Sequence, residues 1–131
     1  MNQYSIEHIG IAVDDPLAMA QWYEENLGYI IKFSEGNKEK GVAFISDASG
    51  KVTFELLKVP EVKSARTDLT HRLQVHVGVF SENPDEEART LEAKGAKFVE
   101  RCTLTLPGDY LVILEDPWGN YIQLVRRSRK F

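Results

Sequence analysis

The sequence has little of what marks secreted, membrane-spanning or nucleic-acid-binding proteins. It has one cysteine, Cys102, so no disulfide can form within the chain, and we expect this thiol to be a buried packing residue. Its longest apolar runs, such as residues 111–114, are far shorter than the roughly 18 to 20 residues of a bilayer span, and its first residues lack a signal-peptide pattern. A net charge of −4 argues against a broad phosphate-binding surface. We therefore expect a cytoplasmic protein with no membrane or nucleic-acid partner.

The chain contains an internal repeat. Residues 7–16 (EHIGIAVDDP) return as residues 75–84 (VHVGVFSENP), and residues 54–57 (FELL) return as residues 122–125 (IQLV), both at an offset of 68 residues. A length of 131 residues, of which 43% are hydrophobic, is enough for one core. We predict a single domain over residues 1–131, made of a first module at 1–59, a linker at 60–72 and a second module at 73–131.

Each module has the pattern of one strand, one helix and three further strands. The first strands are predicted at residues 4–13 and 73–80. Each helix is predicted to begin at an N-cap, Asp15 or Asn83, whose side chain accepts backbone N–H bonds, and to end at a glycine, Gly28 or Gly95. The other strands are predicted at 29–34, 42–46, 51–59, 97–104, 110–115 and 121–126. The sequence thus predicts an α+β fold of two tandem βαβββ modules that form curved mixed sheets.

Four polar residues occupy matching positions of the repeat, namely His8, Glu55, His76 and Gln123. Because side chains alternate between the faces of a strand, all four are predicted to point away from the helix-packed side. A glycine two residues beyond each histidine leaves room for a ligand. Two imidazoles, a carboxylate and an amide oxygen suit a divalent ion such as Zn, Ni, Co, Mn or Fe(II). The alternative is that these are hydrogen-bonded structural residues.

These patterns resemble the vicinal oxygen chelate superfamily, also called the glyoxalase/bleomycin resistance protein/dioxygenase group, over essentially the whole chain. The residues that carry the resemblance are His8 in an H-x-G-x-x-V strand, Trp22-Tyr23 followed by Leu27-Gly28, Phe54-Glu55-Leu56, His76-Val77-Gly78, and residues 116–124 (DPWGNYIQL). The resemblance implies that the four polar residues are the metal ligands of the family.

The resemblance also implies a reaction of the glyoxalase I (lactoylglutathione lyase) type, in which the enediolate of a small substrate with vicinal oxygens is stabilised. Metal-dependent members often have glutamate where this chain has Gln123, and an amide cannot act as a base. Glu55 is therefore our candidate for the catalytic base. The family positions that anchor glutathione fall on Ala12 and Val59, which weakens the prediction of a glutathione adduct.

Other members of the superfamily offer alternative functions. The chain is also similar to epimerases, thiol transferases and extradiol dioxygenases of the group, and to its non-catalytic drug-binding or antibiotic-binding proteins of the bleomycin-resistance type. Trp118 and Tyr121 flank the last turn and are candidates for substrate contact, although packing is the alternative. A homodimer is expected, in which the metal ligands come from one chain or from two swapped partners.

Overall fold

The computed structural model describes residues 3–102, 106–129 and 131. One strand, one helix and three strands follow in order, and the same order then returns. The first set consists of β1 (Ile9–Ala12), α1 (Pro16–Leu27), β2 (Ile30–Gly36), β3 (Gly41–Ser46) and β4 (Thr53–Lys58). The second set consists of β5 (Val77–Phe80), α2 (Pro84–Glu92), β6 (Lys97–Arg101), β7 (Tyr110–Glu115) and β8 (Tyr121–Arg126). A one-turn 3₁₀ helix at Ala65–Asp68 lies between the two sets.

Each set forms its own four-stranded sheet. The strand order is β1-β4-β3-β2 in the first sheet and β5-β8-β7-β6 in the second. In both sheets the first strand pairs in parallel with the last one, and the other neighbours are antiparallel. The predicted α+β fold of two βαβββ modules with mixed sheets is therefore confirmed.

The contacts between Cα atoms divide the chain into two compact units, Met1–Asp68 and Leu69–Phe131. The division falls inside the segment 60–72 that the sequence predicted as a linker. That the two units together form one domain stays a prediction. Among the described residues, neither helix is long and apolar enough to cross a membrane.

Helix α1 begins and ends as predicted. Asp15 is its N-cap, and the Asp15 carboxylate accepts a hydrogen bond of 3.2 Å from the backbone N–H of Ala18. Pro16 occupies the first helical position, where a missing N–H costs nothing. Gly28 ends the helix with φ of 69°, a left-handed conformation that glycine adopts without strain.

Helix α2 departs from the prediction at both ends. Asn83 is the N-cap residue, but its side chain makes no capping bond. The Asn83 amide instead donates a hydrogen bond of 2.7 Å to the carboxylate of Glu86. The helix ends at Glu92 with Ala93 as its C-cap, and Gly95 follows in a further turn with φ of 108°. The glycine is thus a turn residue after the helix.

Several predicted strand limits were too wide. The first strands begin only at Ile9 and Val77, because the residues directly before them do not pair with a neighbouring strand. Strand β6 ends at Arg101, and residues 103 and 104 of the predicted strand 97–104 lie outside the described residues. Strands β7 and β8 have their predicted limits.

One face of each sheet is buried with its helix. In the first unit this face carries Ala43, Ile45, Phe54 and Leu56, and in the second unit it carries Val112, Leu114, Ile122 and Leu124. Helix α1 contacts β2, β3 and β4, and α2 contacts β6, β7 and β8. Burial of each of the larger side chains, those other than Ala43, contributes about 1.5–3 kcal/mol. The opposite face of each sheet is left for other contacts.

The turn between β7 and β8 is held by a buried carboxylate. Asp116 is 2% exposed, and its Oδ1 accepts hydrogen bonds from the backbone N–H groups of Trp118 at 2.9 Å and Asn120 at 2.8 Å. In the first unit Asp47 has a similar place between β3 and β4, where its Oδ1 accepts a bond of 3.1 Å from the N–H of Val52. Asp47 is less buried than Asp116.

We expect the substitution Asp116→Ala to destabilise the protein more than Asp47→Ala. Loss of the Asp116 carboxylate leaves two N–H donors of the turn without their acceptor, which costs about 1–3 kcal/mol of unfolding free energy. Solvent replaces more of the lost bonds at the exposed Asp47 turn. Urea denaturation of both variants measures the difference, and an equal or smaller loss for Asp116→Ala would contradict this account of the turn.

Candidate functional site

A row of residues across the first sheet carries Glu55. Phe33 on β2 pairs with Phe44 on β3, Phe44 pairs with Glu55 on β4, and Glu55 pairs with Gly10 on β1. Directly opposed residues point to the same face of a sheet, so these four lie opposite the face that packs with α1. A Cβ placed on Gly10 would lie 3.5 Å from Glu55 Oε1. The main chain of β1 thus approaches the carboxylate closely.

His8 lies directly before β1 and next to this row. Its Nε2 is 3.8 Å from Glu55 Oε1, and its ring packs edge to face on Phe44 with the ring centroids 5.8 Å apart. Its Nδ1–H donates to the carboxylate of Glu7. A carboxylate on one imidazole nitrogen fixes the tautomer and leaves the other nitrogen as an acceptor. The side chains of His8 and Glu55 are 38% and 29% exposed, so both are accessible.

The hydrogen bond to Glu7 is the main cause of a raised pKa for His8. Partial desolvation opposes this effect, and the negative charges of Glu7 and Glu55 add to it. Both carboxylates favour the protonated imidazole because they are opposite charges close to it. Metal-free His8 therefore keeps its proton to a higher pH than an isolated histidine does.

An open cavity of about 500 Å³ borders Glu55 in the first unit. Its volume lies within the range of small-molecule sites. Most of the wall surface is apolar, and two lysines and two glutamates supply charge. The cavity is lined by Glu35, Gly36, Lys40, Gly41, Val42, Phe44, Glu55, Leu57, Lys58 and Val59.

The second sheet has a matching row with different chemistry. Glu100 on β6 pairs with Ile113 on β7, Ile113 pairs with Gln123 on β8, and Gln123 pairs with Gly78 on β5. A Cβ placed on Gly78 would lie 4.0 Å from Gln123 Oε1, much as at Gly10. Gln123 is only 6% exposed, however, and is less accessible than Glu55.

His76 lies directly before β5, as His8 lies before β1, and it is exposed. The residue before it is Val75, whereas Glu7 precedes His8. At the position that matches Glu7, the second unit therefore has an apolar side chain in place of a carboxylate. Glu7 was not identified from the sequence as a partner of His8, although Glu7 directly precedes His8 in the chain.

The Gln123 face of the second sheet carries a small hydrophobic cluster, formed by Cys102, Leu111, Ile113 and Val125. The predicted burial of the Cys102 thiol is confirmed. Tyr121, a candidate for substrate contact, packs against this cluster. Trp118, the other candidate, is half-buried in the turn that Asp116 holds.

An ion pair that the sequence did not predict also reaches this face. Arg72 donates from Nε to Glu100 Oε1 at 2.6 Å, and its Nη1 lies 2.8 Å from His71 Nε2. Glu100 belongs to the same row as Gln123. The two partners are 28 residues apart in the chain, and no pattern in a single sequence connects them.

The four predicted metal ligands thus fall into two pairs. His8 and Glu55 come together in the first unit, while His76 and Gln123 belong to the second unit, where the structure records no contact between them. Over residues 3–102, 106–129 and 131, no group of three or more His, Cys, Asp or Glu side chains is placed to hold a metal ion. Within the first unit, the free Nε2 of His8 and the carboxylate of Glu55 are donors of the kind that divalent transition metals bind.

We expect the substitution Glu7→Gln to lower the pKa of His8 in the chelator-treated protein. An amide in place of the carboxylate removes both the charge and the strong acceptor that favour the imidazolium form. Glu55→Gln should lower the same pKa by less, because Glu55 contributes only a Coulomb interaction. Titration of the histidine ring protons by NMR measures these shifts, with His71 and His76 as internal references. An unchanged His8 titration in Glu7→Gln would show that the contact is absent in solution.

The fold of the chain is found in many solved structures. A glyoxalase family protein from Bacillus cereus superposes with a TM-score of 0.73 at 18% identity, covering 95% of both chains. The fosfomycin resistance protein FosX from Listeria monocytogenes, solved with Mn(II) and sulfate, has a TM-score of 0.68 at 17% identity and covers 97% of this chain and 95% of its own. A glyoxalase family protein from Enterococcus faecalis gives 0.68 at 20% identity, covering 93% and 97%.

Two curated proteins are similar in sequence. A dITP/XTP pyrophosphatase from Mycobacteroides abscessus is 33% identical over 105 residues, which are 76% of this chain and 47% of that protein. The chain thus spans about half the length of this relative. The uncharacterized protein YwbC from Bacillus subtilis is 28% identical over 126 residues, covering 93% of this chain and 97% of YwbC.

The family comparison covers both halves of the repeat. The model described as the Glyoxalase/Bleomycin resistance protein/Dioxygenase superfamily matches residues 5–124. This range contains His8, Glu55, His76 and Gln123, together with the motifs that carried the resemblance in the sequence. The chain belongs to the glyoxalase/bleomycin resistance protein/dioxygenase superfamily, as the sequence predicted.

Proposed function

We propose that the protein is a metal-dependent lyase or isomerase of the glyoxalase I type, acting on a small substrate with two neighbouring oxygen atoms. The observation that carries this proposal is the approach of His8 Nε2 to Glu55 Oε1, at 3.8 Å, beside an open cavity. Accessible nitrogen and carboxylate donors beside a cavity of small-molecule size are part of what a catalytic metal site requires, and such sites have about three protein ligands with one position open for water or substrate.

The donor set fits a divalent metal such as Zn, Ni, Co, Mn or Fe(II). Glu7 accepts the Nδ1–H of His8, so Nε2 is the nitrogen left for a metal, and such outer carboxylates are usual partners of metal-bound histidines. In this proposal His8 and Glu55 hold the metal together with His76 and Gln123. The second pair comes from the same chain or from the partner copy of a homodimer.

The residues have separate chemical tasks. When bound, the metal would polarise the two substrate oxygens and make the adjacent C–H bond more acidic. Glu55 accepts the proton from this carbon and returns it to the neighbouring one, so that the reaction is a net isomerisation. Gln123 offers a neutral oxygen and cannot take this proton, which is why the carboxylate of the first unit has the role of base.

A second candidate is a non-catalytic protein that binds a small molecule, as the bleomycin-resistance members do. The mostly apolar wall of the cavity around Phe44 and Leu57 favours this alternative, because apolar walls bind hydrophobic ligands without any metal. His76→Ala separates the two functions. Under the first proposal it abolishes turnover, whereas under the second it leaves ligand affinity nearly unchanged.

The experiment on the first proposal compares His8→Ala and Glu55→Gln with the parent protein. Untagged protein is dialysed against each candidate metal, its metal content is measured by plasma mass spectrometry, and turnover is assayed with hemithioacetals of methylglyoxal and several thiols. We expect His8→Ala to lose metal. Glu55→Gln should keep metal, more weakly bound, and lose turnover by about 10²-fold or more, the usual effect of removing a general base.

His71→Gln is the matched control. His71 is the one of the three histidines that is not a proposed ligand, and it contacts Arg72 and the backbone of Leu73 rather than the cavity residues. Metal content and turnover of this variant should equal those of the parent protein. Full turnover in Glu55→Gln would contradict the assignment of the base, and full metal content in His8→Ala would contradict the assignment of the ligand.

A further inference from the structure

The hairpin between β2 and β3 is a rigid part of the cavity wall. The Asn37 side-chain oxygen accepts hydrogen bonds of 3.0 Å from the N–H groups of Glu39 and Lys40, and the Asn37 N–H donates to the Lys40 carbonyl at 2.9 Å. Gly36 has φ of 94°, and a Cβ there would collide with the Lys40 carbonyl. The backbone that carries Lys40 is therefore fixed before any ligand binds.

Lys40 is the cation of this cavity that has no partner in the described part of the chain. The ammonium of Lys58, the other lysine of the wall, donates to the Asp14 carbonyl at 3.0 Å. The carboxylates of the wall are Glu35, on β2, and Glu55, which faces His8. No ion pair joins Lys40 to either glutamate among the described residues.

The cavity extends along β3 between Lys40 and the row of Glu55. Phe44, the β3 residue opposite Glu55, lies four positions after Lys40, which corresponds to about 13 Å of extended strand. Val42 lines the wall between the two ends, and Phe44 lines it at the Glu55 end. A ligand that touches both ends must therefore be elongated, with an apolar middle.

We propose that Lys40 determines substrate specificity by binding an anionic group of the substrate. The substrate class is then an elongated organic anion, with an apolar or aromatic body that packs on Phe44 and an anionic group at the Lys40 end. Substrates of this class also carry a pair of neighbouring oxygen atoms at the Glu55 end. Only this last feature rests on the proposed function. An ammonium carried by this held backbone beside an apolar wall contributes strongly to such recognition, because a hydrogen bond to a charged group is about twice as strong as a neutral one.

The test uses catechol acids as probes and calorimetry as the readout. The probes are 3,4-dihydroxybenzoate, 3,4-dihydroxyphenylacetate and 3-(3,4-dihydroxyphenyl)propanoate, each compared with its neutral methyl ester, on the full chain with and without Mn(II). The three acids place the carboxylate at increasing distance from the vicinal oxygens. We expect at least one acid to bind about tenfold tighter than its ester, the equivalent of about 1.4 kcal/mol.

The variants Lys40→Gln and Lys38→Gln make a matched pair. Both lysines lie in the same hairpin and both substitutions remove one positive charge, but Lys38 does not line the cavity. Lys40→Gln should bring the ratio of acid affinity to ester affinity close to one, and Lys40→Arg should restore the ratio of the parent protein. Lys38→Gln should keep the ratio of the parent protein. Thermal melts establish that each variant is folded.

The outcomes separate this inference from the proposed function. A preference for the acid that depends on Lys40 in metal-free protein supports the inference even if the protein holds no metal. If the protein binds metal but shows no preference for the acid over the ester, the inference is overturned and the proposed metal site is unaffected. The inference is also overturned if the preference survives in Lys40→Gln, if Lys38→Gln loses it equally, or if no acid binds saturably.

Discussion

The register between β1 and β4 is the constraint on which the site depends. Parallel pairing places Gly10 opposite Glu55, and the burial of Phe54 and Leu56 under the opposite face maintains it. A slip of one residue would turn the Glu55 carboxylate into the apolar core and expose these two side chains. Burial of two large side chains amounts to about 3–6 kcal/mol, so the apolar face of the strand fixes where the polar face presents its carboxylate.

The same register in the second sheet carries a different set of side chains. Glu55 is accessible and lies beside Phe44. The matching Gln123 is buried and lies beside Ile113, in the row that also contains Glu100. The two units thus share one strand order, while the side chains on their open faces differ. In our account the first unit supplies the base and the cavity, and the second unit supplies neutral ligands to the metal.

Most of the fold could be predicted, because it follows from local patterns. The repeat, the Asp15 cap and the strand alternation around Glu55 each need only neighbouring residues. The failures have two causes, the first local and the second tertiary. The side chain of Asn83 binds Glu86 instead of the helix backbone, and the residues before Ile9 lack a partner strand although their alternation is suitable. For the site, spacing predicted the placement of Glu55 on the open face, but the Lys40 hairpin and the Arg72–Glu100 pair depend on contacts that no period in the sequence records.

The most direct measurement is the location of a bound metal. Crystals soaked in Mn(II) and measured at the manganese absorption edge give an anomalous map that needs no assumption about the reaction. Our account predicts a peak at about 2.0–2.3 Å from both His8 Nε2 and a carboxylate oxygen of Glu55, the range of metal–ligand bonds. Peaks that lie only elsewhere on the protein, with His8 and Glu55 still in their direct contact, would contradict it.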